Sequence, residues 1–341
     1  MNFFRRKKQD SDGGQLAIYR EKLERAKSDR DRYLQEAREL RVKVKELKRE
    51  LELSNAWKPG LGSLPNFVPS GHFYSPHPSL EDVERVSRMT APYGSPISWR
   101  LADQMKRFPD WISMLPEFLA LLGSKQGRYV LENNQFCLGD AFSLYAFTRI
   151  QQPARVIEVG SGYSSAVMLD ARDRNGPKPD LTFIEPYPGE RLRGLLRAED
   201  LQSARIIEKK LQDVPLETFE PLKSGDLLFL DSSHIAKTGS DVLHYLFHIL
   251  PSFAPGVIVH IHDIFPNWEY PQDWLNEGRA WNELYFVLAY LMENPNYEVF
   301  WYLPALYQSD PSLLAPYPEL LSSVGGSLYL RRRNPAEAEK P

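Results

Sequence analysis

The sequence feature that most constrains the fold is a short apolar segment that ends abruptly in two closely spaced glycines. Val156, Ile157 and Val159 are β-branched residues typical of a buried strand, and Gly160-Ser-Gly162 follows them directly. A helix is predicted to begin near Ser164. Glycines in such a turn let backbone N–H groups approach a ligand, and a helix N-terminus favours an electron-rich one. The strand, turn and helix therefore predict a nucleotide-type binding loop.

More apolar segments follow the turn, and helical intervals separate the first of them. The further predicted strands are 181–185, 204–208, 226–231, 255–262, 297–302 and 327–330. This alternation predicts an α/β fold with a doubly wound, mostly parallel, seven-stranded sheet. The second strand ends in Glu185, and an acid at that place hydrogen-bonds ribose hydroxyls in nucleotide-type folds.

These residues resemble the class I S-adenosylmethionine-dependent methyltransferases, which have a Rossmann-like fold. The matching residues are Glu158-Val-Gly160-Ser-Gly162 for the first motif, Glu185 for the ribose acid and Asp231 after the fourth strand. The likeness covers residues 135–331. In addition, Asp231-Ser-Ser-His234 and His260-Ile-His-Asp263 resemble a bacterial subgroup that includes O-methyltransferases, some of which act on sugars.

The resemblance implies S-adenosylmethionine as cofactor and a set of residues that bind it. Asp213 belongs to that set because the family's turn after the third strand meets the adenine; a loop or cap acid is the alternative. The sequence departs from the family at Ser164, where a third glycine is common, although the subgroup often has a small polar residue there. The predicted cofactor-binding residues are Glu158, Gly160, Ser161, Gly162, Ser164, Glu185 and Asp213.

Ionisable side chains follow the fourth and fifth predicted strands. Asp231 and His234 come after the fourth strand, and His262 and Asp263 come after the fifth. Ligands of open α/β sheets bind at the carboxyl ends of strands, and strands one, four and five are neighbours in this family, so we expect the four side chains to converge. His260, one pleat earlier than His262, is expected to be a core histidine.

Two mechanisms remain open for these residues. In one, the catalytic residues are His234, His262 and Asp231, and a histidine removes the proton of an acceptor hydroxyl. In the other, a divalent metal ion held by Asp231, His262 and Asp263 lowers the pKa of that hydroxyl. Histidine departs from the oxygen ligands of related metal-dependent enzymes and makes magnesium a poorer candidate.

Other polar residues are weaker candidates. Asp140 is expected either to line the cofactor pocket or to cap a helix, and residues 279–283 lie where the family's substrate loops fall. His244 and His248 have the i,i+4 spacing of some zinc sites, but no acid of the metalloprotease type lies between them, so packing is favoured.

The N-terminal region has a different character. From Leu16 to Leu51, seam positions that are apolar except for Arg30 alternate in steps of three and four, charged residues fill most other positions, and neither Gly nor Pro occurs. This pattern predicts a coiled coil that mediates self-association. A solitary charged helix held by i,i+4 pairs is the alternative.

The chain of 341 residues is expected to contain a main domain and an appendage. The net charge of −3 gives no reason to expect nucleic acid as partner, and no apolar run suggests a transmembrane segment. The single cysteine, Cys137, fits a reducing, cytoplasmic location. The predicted division is a disordered basic tail at 1–14, a coiled coil at 15–54, a Pro- and aromatic-rich linker at 55–80, a helical lead-in or lid at 81–134, a methyltransferase domain at 135–333 and a disordered tail at 334–341.

The function expected from the resemblance is O-methylation of a hydroxyl on a small molecule, sugar or glycan. Two alternatives come from other classes. One is a non-catalytic coiled-coil scaffold whose methyltransferase-like domain binds cofactor or glycan. The other is a metal-dependent relative that acts as a hydroxylase or hydrolase, since an Asp-x-x-His pattern also occurs in such proteins.

Overall fold

The computed structural model describes residues 68–88, 97–124, 126–176 and 178–334, together with scattered positions between 25 and 45. The chain divides into two units, Met1–Pro69 and Ser70–Pro341. The described positions between 25 and 45 are helical and exposed, and Tyr33, Leu40 and Val44 of the predicted heptad seam are among them. The two terminal tails apart from Asn334, most of the linker and the rest of the predicted coiled coil lie outside the described residues.

The second unit is built on one seven-stranded sheet. Its strands are β1 (Arg155–Val159), β2 (Asp180–Ile184), β3 (Ala204–Ile207), β4 (Leu227–Leu230), β5 (Ile258–Ile261), β6 (Tyr297–Trp301) and β7 (Leu328–Arg332). The spatial order is β3-β2-β1-β4-β5-β7-β6. The first five strands pair in parallel, and β7 runs antiparallel to both β5 and β6. The predicted doubly wound α/β sheet is confirmed.

Helices connect the strands and precede them. The helices are α1 (Leu80–Ser87), α2 (Leu101–Ile112), α3 (Leu115–Ser124), α4 (Leu138–Gln151), α5 (Tyr163–Arg172), α6 (Gly189–Leu195), α7 (Ala198–Ser203), α8 (Asp241–His244), α9 (Gln272–Asn276), α10 (Glu283–Leu291), α11 (Leu303–Ser309) and α12 (Pro318–Leu321). A π-helical turn, Tyr245–Ile249, continues α8. Within the described part of the chain, no helix is both long enough and apolar enough to cross a membrane.

The sheet separates two apolar cores because successive side chains of a strand point to opposite faces. In β1, Val156 packs into the core covered by α4 and α5. Ile157 and Val159 pack into the core covered by the π-helical turn and α10. The continuous apolar strands that identified the sheet in the sequence therefore reflect burial on both faces.

Two helices begin at residues whose side chains cap them. The Ser79 hydroxyl accepts a hydrogen bond from the Asp82 N–H at 3.1 Å, and the Asp82 carboxylate accepts one from the Ser79 N–H at 3.0 Å. This reciprocal pair starts α1. The Ser240 hydroxyl accepts from the Leu243 N–H at 3.3 Å and starts α8.

A buried ion-pair network anchors the loop between α3 and α4. The guanidinium of Arg128 is buried and pairs with Asp200 at 2.6 Å, with Asp173 at 2.8 Å and with Asp170 at 3.0 Å. Buried charges are costly unless they are paired, and here each has a partner. The network therefore fixes the start of a loop whose other end, residues 133–137, reaches the main cavity.

Candidate functional site

A cavity of about 960 Å³ lies at the carboxyl ends of β1, β2, β4 and β5. Its lining includes the glycine turn Gly160–Ser164, Glu185 after β2, Asp231–His234 after β4 and His262–Asp263 after β5. This is the edge at which open α/β sheets bind ligands. The volume is at the upper end of the range of roughly 300–1,000 Å³ for small-molecule sites, so a cofactor and an acceptor can share it.

The glycine turn is held in a backbone conformation that requires glycine. Gly160 has a φ of 78°, and a Cβ at this position would overlap the carbonyl oxygen of Asp231. Its N–H donates to the carbonyl of Ile184 at 3.0 Å. Ser161, Gly162 and Ser164 line the cavity, as predicted for residues that approach a ligand.

Glu158 lies behind this turn and does not line the cavity, which corrects the expectation that it contacts the cofactor. Its carboxyl group is fully buried and accepts hydrogen bonds from the hydroxyls of Ser164, at 2.6 Å, and Ser165. Burial raises the pKa of Glu158 to about 8, although the serine hydroxyls lower it. The position follows from the pleat, since Glu158 shares a face of β1 with Val156. Glu158 therefore holds the start of α5 in place.

Glu185 and Asp213 have different surroundings. The Glu185 carboxylate lines the cavity, where it accepts from the N–H of Tyr187 at 2.8 Å and of Ser161 at 3.2 Å. A carboxylate has about four acceptor positions, so it can still accept from ribose hydroxyls. Asp213 is exposed and outside the lining, to which its neighbours Leu211 and Gln212 contribute instead. The structure therefore does not bring Asp213 to the cavity.

The four side chains predicted to converge do so, and they form a cluster of two carboxylates and two imidazoles. His234 Nε2 lies 3.2 Å from Asp231 Oδ1 and 3.6 Å from Asp263 Oδ2. His262 Nδ1 lies 3.5 Å from Asp231 Oδ1 and 3.6 Å from Asp263 Oδ2. Each aspartate therefore faces both imidazoles.

A further carboxylate stands behind each imidazole. Glu283 Oε2 lies 2.7 Å from His234 Nδ1, and Asp140 Oδ2 lies 3.2 Å from His262 Nε2. The sequence placed both acids among weaker candidates without pairing them to the histidines. No local signal links them, because 49 and 122 positions separate the partners.

These outer carboxylates are themselves held by hydrogen bonds. Glu283 accepts from the hydroxyls of Tyr245 at 2.7 Å and Ser232 at 2.9 Å. Asp140 accepts from the N–H of Gly326 at 2.8 Å and the hydroxyl of Ser327 at 2.7 Å. Both are nearly inaccessible to solvent, so each fixes the orientation of its imidazole from the protein interior.

The carboxylates change the protonation of the histidines. Burial alone would lower the pKa of His234, but its hydrogen bonds to Asp231 and Glu283 outweigh burial and raise it to about 10. His262 is likewise held well above its ordinary pKa by Asp263, Asp231 and Asp140 despite its burial. These shifts favour the cationic form of both imidazoles. A cationic imidazole has no free lone pair to accept a proton. The predicted catalytic roles of His234 and His262 stay predictions.

Asp263 and Asp231 respond in opposite ways. Burial raises the pKa of Asp263 to about 6, although the two histidines lower it. The pKa of Asp231 is held well below its usual range, because His262 and His234 outweigh the effect of its burial. Asp263 is thus the carboxylate of the cluster whose pKa lies close to neutral pH.

Asp263 also makes longer ion-pair contacts than Asp231 does. Its contacts are the two ion pairs at 3.6 Å, and within the described residues no hydrogen bond reaches either of its oxygens. Asp263 and His234 each have a φ of 58°, a left-handed conformation that is uncommon outside glycine. Such conformations persist where the surrounding structure holds them, and they are concentrated at functional sites.

The predicted metal ligands Asp231, His262 and Asp263 are brought together, but they do not form a metal site. Among the residues that the structure describes, no group of three or more His, Cys, Asp or Glu side chains is arranged to hold a metal ion. The side chains meet as ion pairs, and each imidazole directs its second nitrogen at a buried carboxylate.

The remaining histidines of interest lie outside the cavity lining. His260 is fully buried and contacts Ser327 Oγ at 2.8 Å through Nε2, and burial beside His262 holds its pKa well below the ordinary value. It is a core residue, as predicted. The rings of His244 and His248 lie 5.2 Å apart and contribute nothing to the cavity.

Two comparisons of sequence place the chain among known proteins. Residues 157–264 match the family described as a methyltransferase domain. A protein of Archaeoglobus fulgidus, whose name states no function, is 30% identical over 171 residues, which cover 46% of this chain and 74% of that protein. Residues 157–264 thus resemble a methyltransferase domain, which agrees with the class that the sequence predicted.

Solved structures with a related fold include two methyltransferases in complex with S-adenosylhomocysteine. One is from Podospora anserina, is 18% identical and has a TM-score of 0.39, over 57% of this chain and 78% of that one. The other is a plantazolicin methyltransferase, also in complex with a desmethylplantazolicin analogue; it is 14% identical with a TM-score of 0.37, over 74% of this chain and 98% of that one. Likeness at this level carries no statement about the function of this chain.

The raised pKa of Glu158 predicts how stability depends on pH. The unfolded chain loses this proton near pH 4.5, and the folded chain keeps it to about pH 8. Raising the pH between these values therefore favours the unfolded state, by up to about 1.4 kcal/mol per pH unit. Relative to Glu158→Gln, which cannot titrate, the wild type should lose stability across this window in denaturant unfolding. Glu208→Gln, at an exposed position, should keep the wild-type slope, and equal slopes for the wild type and Glu158→Gln would contradict the prediction.

Proposed function

We propose that this chain, which belongs to the same family as the Archaeoglobus fulgidus protein and contains a methyltransferase domain, transfers a methyl group from S-adenosylmethionine to an oxygen atom of a small molecule. The observation that supports oxygen as the acceptor is the carboxylate of Asp263. It is available to receive a proton, and it lines the same cavity as the glycine turn. A hydroxyl must lose its proton to become a good nucleophile, so this carboxylate supplies what the reaction needs.

The residues at one end of the cavity suit the cofactor. Glu185 offers acceptor positions to ribose hydroxyls, and the turn at Gly160–Gly162 presents backbone without Cβ obstruction. The N-terminus of α5 adds a positive potential at this end. When bound, S-adenosylmethionine supplies an electrophilic methyl group on a sulfonium.

The cluster at the other end activates the acceptor. Asp263 receives the proton of the acceptor hydroxyl, since its oxygens carry no hydrogen bond within the described structure. The imidazole groups of His234 and His262 flank Asp231 and Asp263 and, when protonated, offset the charge of these carboxylates. Glu283 and Asp140 orient the two rings from behind.

Other functions receive less support. The side chains of the cluster are not arranged as metal ligands, so no step is assigned to a metal ion and a metal-dependent hydroxylase is disfavoured. A non-catalytic scaffold would not explain the left-handed backbone of His234 and Asp263. It would also not explain the mostly buried Asp263 carboxylate, which accepts no hydrogen bond within the described structure.

Replacement of Glu185 tests the cofactor end. Glu185→Ala should weaken the binding of S-adenosylmethionine by about 1.5–3 kcal/mol, which is roughly 10- to 150-fold, because charge-assisted hydrogen bonds are lost. Isothermal titration measures the affinity. Glu208→Ala, an exposed acid at the end of the neighbouring β3, should bind as the wild type does. Unchanged affinity in a folded Glu185→Ala variant would show that Glu185 does not bind the ribose.

Replacement of Asp263 tests the acceptor end. Asp263→Asn tolerates the left-handed backbone and should lower kcat by roughly 10²–10⁴, while cofactor affinity stays near that of the wild type. Because the carboxylate must be ionised to accept a proton, wild-type kcat should fall as the pH drops below about 6. The variant should lose this dependence, and Asp213→Asn should keep both the wild-type rate and the pH profile.

Chelation separates this scheme from the metal scheme. Exhaustive treatment with EDTA should leave wild-type turnover unchanged. If EDTA abolishes turnover and added divalent ions restore it, a metal ion rather than the Asp263 carboxylate activates the acceptor hydroxyl. If Asp263→Asn instead keeps the wild-type rate and pH profile, another residue is the base.

We also propose that the N-terminal heptads mediate self-association. The support is the unbroken three-four spacing from Leu16 to Leu51, in which Tyr33, Leu40 and Val44 expose apolar side chains on a helix. A protein that begins at Ser63 should therefore have a smaller mass than the full chain in sedimentation. Equal oligomeric states for the two would place the interface in the second unit.

A further inference from the structure

One wall of the cavity beside the Asp–His cluster is aromatic. Phe265 follows β5, Pro271 and Trp274 come from the segment around α9, and Trp281 precedes α10; all of them line the cavity. The rings of Trp274 and Trp281 lie 5.2 Å apart at 75°, and the ring of Phe265 lies 5.6 Å from Trp274. Half-buried aromatic rings that face a cavity gain by covering an apolar ligand surface.

Arg279 occupies the corner between the two indoles. Its guanidinium carbon lies 4.5 Å from the centre of the Trp274 ring and 5.0 Å from that of Trp281. Its Nε donates to Glu277 at 2.8 Å. No hydrogen bond to its terminal nitrogens is found within the described structure, and the residue lines the cavity. A guanidinium held in this way presents a planar pair of donors that matches a carboxylate.

Trp281 links this corner to the reacting end of the cavity. Its ring centre lies 4.3 Å from that of His234, so the imidazole and the guanidinium both lie against one indole. Because both groups lie against this indole, one ligand that packs on it can contact both of them. Arg279 thus places a positive charge at the wall, and Asp231 and Asp263 place carboxylates at the cluster.

We propose that this wall, on the basis of the methyltransferase function proposed above, binds a hydroxylated aromatic acid as the methyl acceptor. The ring lies against Trp274 and Trp281, the carboxylate binds Arg279, and the hydroxyl meets Asp263. The phenolic oxygen forms a bond to the methyl carbon as the carbon–sulfur bond breaks; the electron pair of that bond stays on sulfur, and the phenolic proton passes to Asp263.

The side chains of the wall favour an aromatic ring over a saccharide. Phe265 and Pro271 have no polar side-chain atoms, and Trp274, Trp281 and Arg279 only donate hydrogen bonds. The O–H donors of sugar hydroxyls packed against this wall would find no acceptor among these side chains and would lose their hydrogen bonds to water, which is costly. The face of an aromatic ring has no such hydrogen bonds to lose.

The test compares 4-hydroxybenzoate with its neutral analogue 4-hydroxybenzamide. Titration into the full chain saturated with S-adenosylhomocysteine should show tighter binding of the acid, by about tenfold, the effect of one charge-assisted pair. Arg279→Gln should abolish the preference and leave the binding of the amide unchanged. Arg193→Gln is the matched control, since Arg193 also pairs with an exposed glutamate but does not line the cavity, and it should keep the preference. Trp274→Leu should weaken both ligands equally.

The outcomes distinguish this inference from the function on which it rests. Equal binding of acid and amide, a preference that survives Arg279→Gln, or tighter binding of a methyl glycoside than of either phenol would overturn it. If S-adenosylmethionine binds but neither phenol does, the acceptor inference fails and the methyltransferase proposal stands. If S-adenosylmethionine itself does not bind, the methyltransferase proposal fails.

Discussion

Two imidazoles enclosed by four carboxylates are the interaction on which the rest of the cavity depends. Asp231, Asp263, Glu283 and Asp140 are brought to His234 and His262 from separate parts of the chain. The acids keep both rings cationic, and the cationic rings keep Asp231 ionised in a place that burial would otherwise make unfavourable for charge. Removal of either imidazole would leave carboxylates of the cluster without one of their two cations, so the cluster depends on both rings.

The fold holds this cluster through the parallel pairing of neighbouring strands. The register of β1, β4 and β5 puts their carboxyl ends along one edge, so side chains beyond those ends meet without long loops. Asp140 at the start of α4 then ties the edge to the final hairpin through Gly326 and Ser327. The antiparallel end of the sheet thereby closes one side of the cavity.

Charge in the cavity is distributed so that its two ends have different chemistry. At the cofactor end, the one fully buried acid, Glu158, has a raised pKa and supports the turn without presenting a charge to the ligand. At the acceptor end, Asp263 retains an available carboxylate beside two cations, and Arg279 stands at the aromatic wall. A carboxyl group thus serves as a neutral support in one place and, in the proposed reaction, as a proton acceptor in another, because its neighbours differ.

The sequence by itself determined the strands and their mainly parallel arrangement, because strand periodicity and glycine turns are local properties of the chain. The meeting of Asp231, His234, His262 and Asp263 was expected from the strand order of the family that the sequence resembles. Only the tertiary structure decided which charges surround them. Glu283 and Asp140 reach the histidines from 49 and 122 positions away, a pairing that no local pattern encodes, and they help to raise the pKa of His234 and His262. The inward position of Glu158 depends partly on the sequence and partly on the tertiary structure. Its pleat face could be read from the strand, but its neutral state depends on the helix that buries it.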